Sequence, residues 1–249
     1  MIVFDARNPR AVRAAEALRA ALPDGWSNDA LKVVLGGDGF LLRTAAAADF
    51  EGIFLGLNAG HLGFLHNAVD DWDQVARRLV QGRYRPHRFP LLKARFALRN
   101  GHTVDALAMN DVYLERATGQ AARLSLSVDG VSVVDNLVAD GLILATALGS
   151  TAYSFSAGGS PAHPLLHLLK VTPICPHLPR MTSFDLPESS HVRVEVLVED
   201  RRPARAVVDG QELGEVRAVD VGFSEVQVQL AYFEDHDFTT HLLTKIVKP

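Results

Sequence analysis

A glycine-rich turn with a single carboxylate, Gly36-Gly37-Asp38-Gly39, offers the clearest chemistry in this chain. It joins an apolar run predicted as a buried strand, 31–35, to a run predicted as a helix, 40–46. Glycines at a helix N-terminus let backbone N–H groups approach an anion closely, and the helix dipole favours phosphate there. A carboxylate repels such a ligand unless a cation intervenes or it has a chemical task. The turn therefore indicates a phosphate site with an unexplained carboxylate.

Two better-known phosphate motifs are excluded by the spacing. No Gly-Lys-Ser/Thr follows the turn, so it is not a P-loop of the Walker type. Leu42 stands where the dinucleotide-binding fingerprint requires its third glycine. An ordinary strand-to-helix turn, with Asp38 as a capping residue, explains the four residues 36–39 equally well.

Three further stretches have residue types that suit a polar ligand better than a core: 58–65, 109–111 and 140–159. In the last of these, an apolar strand opened by Asp140 enters a segment of small and hydroxyl residues at 149–152. That segment leaves room for a planar ligand close to the backbone, and Tyr153 follows to stack on it. A Gly/Ser-rich turn with a helix N-cap at Ser150 or Thr151 is the alternative interpretation.

The surrounding pattern predicts two domains that position these stretches. Residues 1–89 alternate strand-like and helix-like runs, which indicates an α/β domain with a parallel sheet, and 226–249 are predicted to complete it with a strand and a helix. Residues 90–225 are predicted as a mostly β, sandwich-like domain, because alternating runs flank hairpin signals at Asn100-Gly101, Asp129-Gly130 and Asp209-Gly210. The acidic run 70–73 is interpreted as the start of a helix and not as a ligand site.

Composition excludes several function classes. The 249 residues are 48% hydrophobic and 22% charged, with a net charge of −4, so no electrostatic footprint for nucleic acid or an anionic membrane is present. The lone Cys175 cannot form an intramolecular disulfide, and no leader pattern opens the sequence, so a cytoplasmic location is expected. The apolar runs are strand-sized, and none reaches the length needed to cross a bilayer.

Taken together and in this order, the four stretches resemble the NAD kinase family, which phosphorylates the adenosine ribose 2′-hydroxyl of NAD to give NADP. The resemblance extends from about Val33 to Gln211. The matching motifs are Gly-Gly-Asp-Gly at 36–39, Asn-x-Gly-x-Leu-Gly-Phe-Leu at 58–65, Asp-Gly at 140–141, Gly-Ser-Thr-Ala-Tyr at 149–153 and Asp-Gly-Gln at 209–211. The family's Asn-Glu pair is matched by Asn110-Asp111.

The resemblance implies the role of each matching residue. Asp38 is the catalytic group at the acceptor ribose, as base or positioning group, and Gly36, Gly37 and Gly39 bind the phosphates of ATP or polyphosphate. Mg²⁺ accompanies that donor, and no metal ligand is assigned to the chain. The resemblance also implies a homodimer or homotetramer. The positions it assigns to NAD binding are Asp38, Gly39, Asn110, Asp111, Asp140, Thr151, Ala152, Tyr153 and Ser156.

The chain departs from the family pattern at four places. Phe40 replaces a small hydroxyl residue, and Asp111 replaces Glu, which shortens the carboxylate by one methylene. Ala147 and Leu148 replace a proline and a hydroxyl residue, and Cys175-Pro176 replaces small residues. These changes leave open a weak enzyme, an altered nucleotide preference or a nucleotide-sensing module without catalysis.

Other enzyme classes find less support. A serine hydrolase of the α/β type lacks its Gly-x-Ser-x-Gly elbow, and His163 and His167 lack the Glu of a zinc protease motif, so a zinc site there is not expected. His61 is interpreted as a loop-packing residue. A lipid kinase or a sugar kinase that uses a similar Gly-Gly-Asp-Gly turn remains an alternative, although the polar segments at 110–111 and 149–153 fit a nucleotide better.

Overall fold

The computed structural model describes residues 1–58 and 63–247. The first elements in chain order are β1 Ile2–Phe4, α1 Pro9–Ala21, β2 Leu31–Gly36, α2 Asp38–Ala46, β3 Ile53–Asn58, α3 Trp72–Val80 and β4 Tyr84–Leu98. The next are β5 Thr103–Ala108, β6 Asp111–Arg116, β7 Ala122–Val128, β8 Val131–Ala139, β9 Gly141–Ala145, a 3₁₀ turn Gly149–Thr151 and α4 Tyr153–Ser156. The last are β10 Leu168–Ile174, β11 Phe184–Pro187, β12 Val192–Val196, β13 Ala204–Val208, β14 Gln211–Phe233 and α5 Phe238–Val247.

The chain divides into two compact units. Unit 1 comprises Met1–Phe89 and Gln227–Pro249, and unit 2 comprises Pro90–Val226. The last helix, α5, therefore belongs to the same unit as the glycine-rich turn.

Unit 1 is built on parallel strands. Ile2 of β1 lies opposite Val33 of β2, and Leu35 of β2 lies opposite Leu57 of β3. The end of β14 pairs with β3 in parallel through Gln229. Leu31, Val33, Val34 and Leu35 are fully buried, as expected for a strand covered on both faces, and the predicted parallel sheet is confirmed.

Local capping explains where two helices of unit 1 begin. The side chain of Asn8 accepts the N–H of Arg10, and Pro9 occupies the first helical position of α1. Asp71 accepts the N–H of Asp73 at the start of α3, at 3.0 Å. The acidic run 70–73 thus starts a helix, as predicted.

The glycine-rich turn is tighter than the sequence suggests. β2 ends at Gly36, and α2 begins at Asp38, two residues before the predicted start at Phe40. Asp38 stands in the first turn, where the helix dipole favours a carboxylate. A Cβ added to Gly36 would lie 2.8 Å from a ring carbon of Phe40. The Phe40 ring therefore packs directly on Gly36, and a larger residue would not fit at that position.

Unit 2 is antiparallel, and its hairpins lie at the predicted places. β4 and β5 are joined through Asn100-Gly101, β7 and β8 through Asp129-Gly130, and β13 and β14 through Asp209-Gly210. Asp129 and Gly130 have φ of 50° and 79°, and Asp209 and Gly210 have φ of 46° and 79°. Both central residues thus take the positive φ of a type I′ turn, which matches the twist of the flanking strands.

The strands of unit 2 enclose one apolar core. β12 lies between β14 and β7, while β9 lies between β6 and β10. Phe96 of β4, Leu126 of β7, Leu142 of β9 and Val171 of β10 belong to the same buried cluster. This arrangement confirms the mostly β, sandwich-like fold. Within the described residues, no helix is both long and apolar enough to span a membrane.

Candidate active site

Asp38 in unit 1 is held by hydrogen bonds from one loop. Its Oδ2 accepts the backbone N–H of Phe64 at 2.7 Å, and its Oδ1 accepts that of Leu65 at 3.2 Å. Nδ1 of His66 lies 2.7 Å from the same Oδ1. Burial raises the pKa of the Asp38 carboxyl. The interaction with His66 and the two N–H groups lowers the pKa by more than burial raises it, so the pKa lies below its ordinary value. Asp38 is therefore an oriented, ionised carboxylate at neutral pH.

Two glycines make room for this arrangement. A Cβ added to Gly63 would lie 2.6 Å from Oδ1 of Asp38 and 2.7 Å from Nδ1 of His66. A Cβ added to Gly56 would lie 2.8 Å from Cδ2 of the same ring. The second predicted stretch, 58–65, thus contributes Gly63 and two backbone donors, whereas 59–62, including His61, lie outside the described residues.

The turn at the start of α2 is open to an incoming group. Gly37 is exposed, and a Cβ built on it would meet no atom within 4 Å. Gly39 is exposed too, and a Cβ added there would lie 3.4 Å from its nearest neighbour, the guanidinium of Arg43. The first N–H groups of a helix have no partner within the helix, so they are donors available to an anion. The phosphate-binding role of Gly36, Gly37 and Gly39 stays a prediction.

In unit 2, Asp209 fixes the Asn110-Asp111 segment. Its carboxylate accepts the backbone N–H groups of Met109 at 2.8 Å, Asn110 at 2.8 Å and Asp111 at 3.1 Å. The N–H of Asp209 in turn donates to the carbonyl of Asp111 at 3.0 Å. The Asp-Gly-Gln motif at 209–211 therefore shapes the segment that presents Asn110.

The two polar side chains at 110–111 are buried in unusual states. Oδ1 of Asn110 has no hydrogen-bond partner among the described residues, although the residue is only 8% exposed. Burial, and secondarily the charge of Asp209, raise the pKa of the Asp111 carboxyl to about 7. Burial also raises the pKa of Asp209, against the effect of its three N–H donors. A buried polar atom without a partner is uncommon and calls for an explanation such as a ligand.

The segment after β9, residues 146–149, is bonded to and packed against the backbone of Met109 and Asn110. Thr146 donates its hydroxyl to the carbonyl of Met109 at 2.7 Å and accepts the N–H of Gly149 at 3.0 Å. A Cβ added to Gly149 would lie 2.0 Å from the carbonyl oxygen of Asn110. Only glycine fits there, so the Gly-Ser-Thr-Ala-Tyr motif begins where backbone meets backbone.

The hydroxyl residues of that motif divide into two groups. Ser150 is fully buried; its hydroxyl donates to Ala147 at 2.6 Å and accepts the N–H of Ala162 at 2.8 Å, so it serves the fold. Thr151 is half-buried, as is Ala152, and Ser156 is exposed. The alternative interpretation, a helix N-cap at Ser150 or Thr151, is wrong, since the residue before α4 is Ala152 and no side chain caps it. Ser150 is already committed to closing its own loop.

Tyr153 is partnered by a tyrosine that the sequence did not single out. The rings of Tyr113 and Tyr153 meet edge to face, with centroids 4.9 Å apart. Burial, then the charge of Glu115, raises both phenol pKa values, that of Tyr113 to about 12. Both are therefore neutral aromatic surfaces at physiological pH.

Asp140 lies at the other end of β9 from Asp111. In the ladder between β6 and β9, Asp111 is opposite Ala145, so Asp140 stands roughly 17 Å along the strand from that pair. Its Oδ1 forms an ion pair with Nε of Arg116 at 2.7 Å, and its side chain is 29% exposed. The charges of Asp140 and Asp111 nevertheless both contribute to the raised phenol pKa of Tyr153. Asp140 is thus an accessible, paired carboxylate.

Among the described residues, no group of three His, Cys, Asp or Glu side chains is placed to hold a metal ion. Mg²⁺ is commonly held through one or two carboxylates together with substrate phosphates. A divalent cation that binds with the phosphates of the phosphoryl donor is compatible with this arrangement of side chains.

The chain matches known proteins over most of its length. Residues 109–234 match the family model described as the ATP-NAD kinase C-terminal domain. A protein named NAD kinase from Rhizobium meliloti (strain 1021) is 38% identical over 242 residues, which cover 94% of this chain and 92% of that protein. An NAD kinase from Clostridium beijerinckii is 35% identical, covering 87% of this chain and 78% of the relative.

Solved structures show the same fold. The crystal structure of yeast NADH kinase complexed with NADH has a TM-score of 0.84 at 22% identity, covering all of this chain and 89% of that one. An NAD kinase from Archaeoglobus fulgidus in complex with ATP has a TM-score of 0.79 at 26% identity, covering 98% and 97%.

Proposed function

This chain belongs to the NAD kinase family, and from that premise we propose that it transfers a phosphoryl group from ATP or polyphosphate to the adenosine ribose 2′-hydroxyl of NAD. The observation that carries the proposal is the state of Asp38: an ionised carboxylate, oriented by a loop, in the first turn of a helix whose N-terminus is open. A structural capping residue would not need three donors brought from 26 to 28 residues away.

In the proposed reaction Asp38 orients the acceptor hydroxyl and takes its proton. Oδ2 receives the proton as the ribose oxygen bonds to the phosphorus and the bond from phosphorus to the leaving phosphate oxygen breaks. In a loose transition state the hydroxyl loses its proton late, so orientation contributes more than basicity.

The donor phosphates are proposed to bind at Gly36, Gly37 and Gly39. The open approach at Gly37 and the donors at the start of α2 support this assignment. Mg²⁺, bound through those phosphates, would supply charge neutralisation during the transfer. The three glycines would then contribute backbone N–H groups and alignment.

The residues proposed to bind NAD are Asp38, Gly39, Asn110, Asp111, Asp140, Thr151, Ala152, Tyr153 and Ser156. The unpartnered Oδ1 of Asn110 supports this, because a ligand N–H or hydroxyl would satisfy it. Asp111, with a pKa of about 7, can donate when protonated and accept when ionised. The neutral face of Tyr153 suits stacking on a base.

The ligands of the two solved relatives, NADH in one and ATP in the other, support these substrate classes. NADH is therefore tested beside NAD, and polyphosphate beside ATP. A cytoplasmic location and a homodimer or homotetramer stay predictions.

The proposed function is tested by incubating the purified, folded protein with NAD or NADH, each crossed with ATP or polyphosphate, with and without Mg²⁺. We expect 2′-phosphorylated product in at least one combination that contains Mg²⁺, and none after chelation. Binding of NAD by calorimetry with no product in any combination would instead identify a sensing module.

A further inference from the structure

We propose that His66 is a positioning residue for the phosphoryl transfer, fixing the Asp38 carboxylate so that one oxygen remains free for the acceptor hydroxyl. This inference rests on the proposed function, because Asp38 must be the group that meets that hydroxyl. His66 lies directly after the 58–65 stretch, and neither the motifs nor the family resemblance assigned it a role.

The hydrogen bonds around Asp38 leave one acceptor site. An ionised carboxylate has about four such sites, two on each oxygen. Oδ1 accepts from the N–H of Leu65 and from Nδ1 of His66, while Oδ2 accepts, from the described part of the chain, only the N–H of Phe64. The side chain of Asp38 is 28% exposed, so a ligand can reach it. The remaining site, on Oδ2, is the one that an acceptor hydroxyl would use.

The hydrogen shared by His66 and Asp38 must lie on Nδ1. A carboxylate with a lowered pKa only accepts hydrogen bonds, so the ring nitrogen facing it is the donor. In the Ser-His-Asp arrangement a carboxylate orients an imidazole in this way. Here the roles are reversed, since the imidazole is the buried, fixed partner and the carboxylate is the exposed one.

The site of the His66 ring argues against a purely structural role. The side chain is fully buried, and its Nε2 has no hydrogen-bond partner among the described residues. A leucine would fill similar space without burying an unsatisfied nitrogen, which costs stability. Gly56 and Gly63 remain without side chains at the two places where a Cβ would strike this ring. The chain thus keeps an imidazole beside Asp38 although one of its ring nitrogens is buried and unsatisfied among the described residues.

Among the described residues of unit 1, the charge of Asp38 also acts on the phenol of Tyr232. Tyr232 of β14 is buried, and burial together with the charge of Asp38 raises its phenol pKa, so it remains neutral. His66, on the 63–67 loop, is the group that lowers the Asp38 pKa through a side-chain hydrogen bond. Removal of His66 should therefore raise the Asp38 pKa, and activity should be lost at a higher pH as the solution is acidified.

The test compares His66→Leu, which removes the donor, with His66→Asn, whose Nδ2 can replace Nδ1 as donor. In His66→Leu we expect kcat to fall about 10- to 100-fold, as when a supporting hydrogen bond to a reactive group is lost, with KM for NAD within about threefold. The acid limb of kcat/KM should move to higher pH. In His66→Asn most of the kcat and the original acid limb should return.

Wild-type kcat and an unshifted acid limb in a folded His66→Leu variant would overturn the inference, as would His66→Asn falling as far as His66→Leu. A second measurement on the wild-type protein does not depend on activity. Long-range ¹H–¹⁵N spectra of ¹⁵N-histidine-labelled protein should show His66 protonated at Nδ1, and a ring protonated only at Nε2 would also overturn it. Failure of the wild type to make NADP would instead count against the proposed function.

Discussion

The carboxylate of Asp209 accepts the backbone N–H of Asn110 at 2.8 Å, across 99 positions of sequence. The same carboxylate holds the N–H groups on either side of it, so three consecutive donors converge on one side chain. Because its backbone is committed in this way, Asn110 presents a side chain whose Oδ1 stays unpartnered within the described chain. The proposed NAD site thus depends on a residue that does not itself need to touch NAD.

Substituting Asp209→Asn should loosen this segment. An amide offers one acceptor oxygen in place of two, and its NH₂ group would face backbone N–H groups that now donate to the carboxylate. We expect the free energy of unfolding to fall by about 1–3 kcal/mol and the Kd for NAD to rise about tenfold. Chemical denaturation and calorimetry measure both. Asp24→Asn, at an exposed position, is the matched control and should change neither. Unchanged NAD affinity in Asp209→Asn would contradict the role given to this clamp.

The raised pKa of Asp111 predicts a pH dependence of stability. A carboxyl that binds its proton more tightly in the folded state stabilises the fold below its unfolded pKa, and this contribution is lost as the pH rises through about 7. Relative to Asp111→Asn, the wild type should therefore lose stability between about pH 4 and pH 7, with a slope of up to about 1.4 kcal/mol per pH unit. Denaturation curves of both proteins across this range measure the difference. Parallel stability curves would show that the pKa of Asp111 is the same in the folded and unfolded states, and would contradict the prediction.

Gly149 should tolerate no side chain, because a Cβ there would lie 2.0 Å from the carbonyl oxygen of Asn110. Gly149→Ala must push the two segments apart, and we expect a loss of about 1–3 kcal/mol of stability together with at least tenfold weaker NAD binding. Gly119→Ala serves as the control, since a Cβ at Gly119 meets no atom within 4 Å. If Gly149→Ala bound NAD like the wild type, the close packing of these segments would have no part in the site.

Features set by local chemistry were predictable from the sequence. The strand that ends in the glycine-rich turn, the helix that starts at 70–73 and the Asp-Gly hairpins all follow from residues within a few positions of one another. The early start of α2 at Asp38, and the absence of the helix N-cap that local rules allowed at Ser150 or Thr151, show the limit of such rules. In the second case the Ser150 hydroxyl accepts the backbone N–H of Ala162, twelve residues away, and does not cap the helix.

Features set by distant contacts were not predictable. His66 follows the 58–65 stretch with nothing in its neighbours to mark it, and its partner Asp38 is 28 residues away. The tyrosine pair likewise joins Tyr113 of β6 to Tyr153, the first residue of α4, and no local motif encodes it. Folding brings such residues together, and a single sequence does not record which pairs will meet.

The central claim, that Asp38 acts on the acceptor hydroxyl, is tested most directly by Asp38→Asn. The amide keeps the size of the side chain but has no negative charge and cannot take the proton. With kcat measured at saturating substrates and Kd for NAD by calorimetry, we predict a loss of kcat of about 100-fold or more and a Kd within about tenfold of wild type. Near-normal turnover in the folded variant would contradict the account.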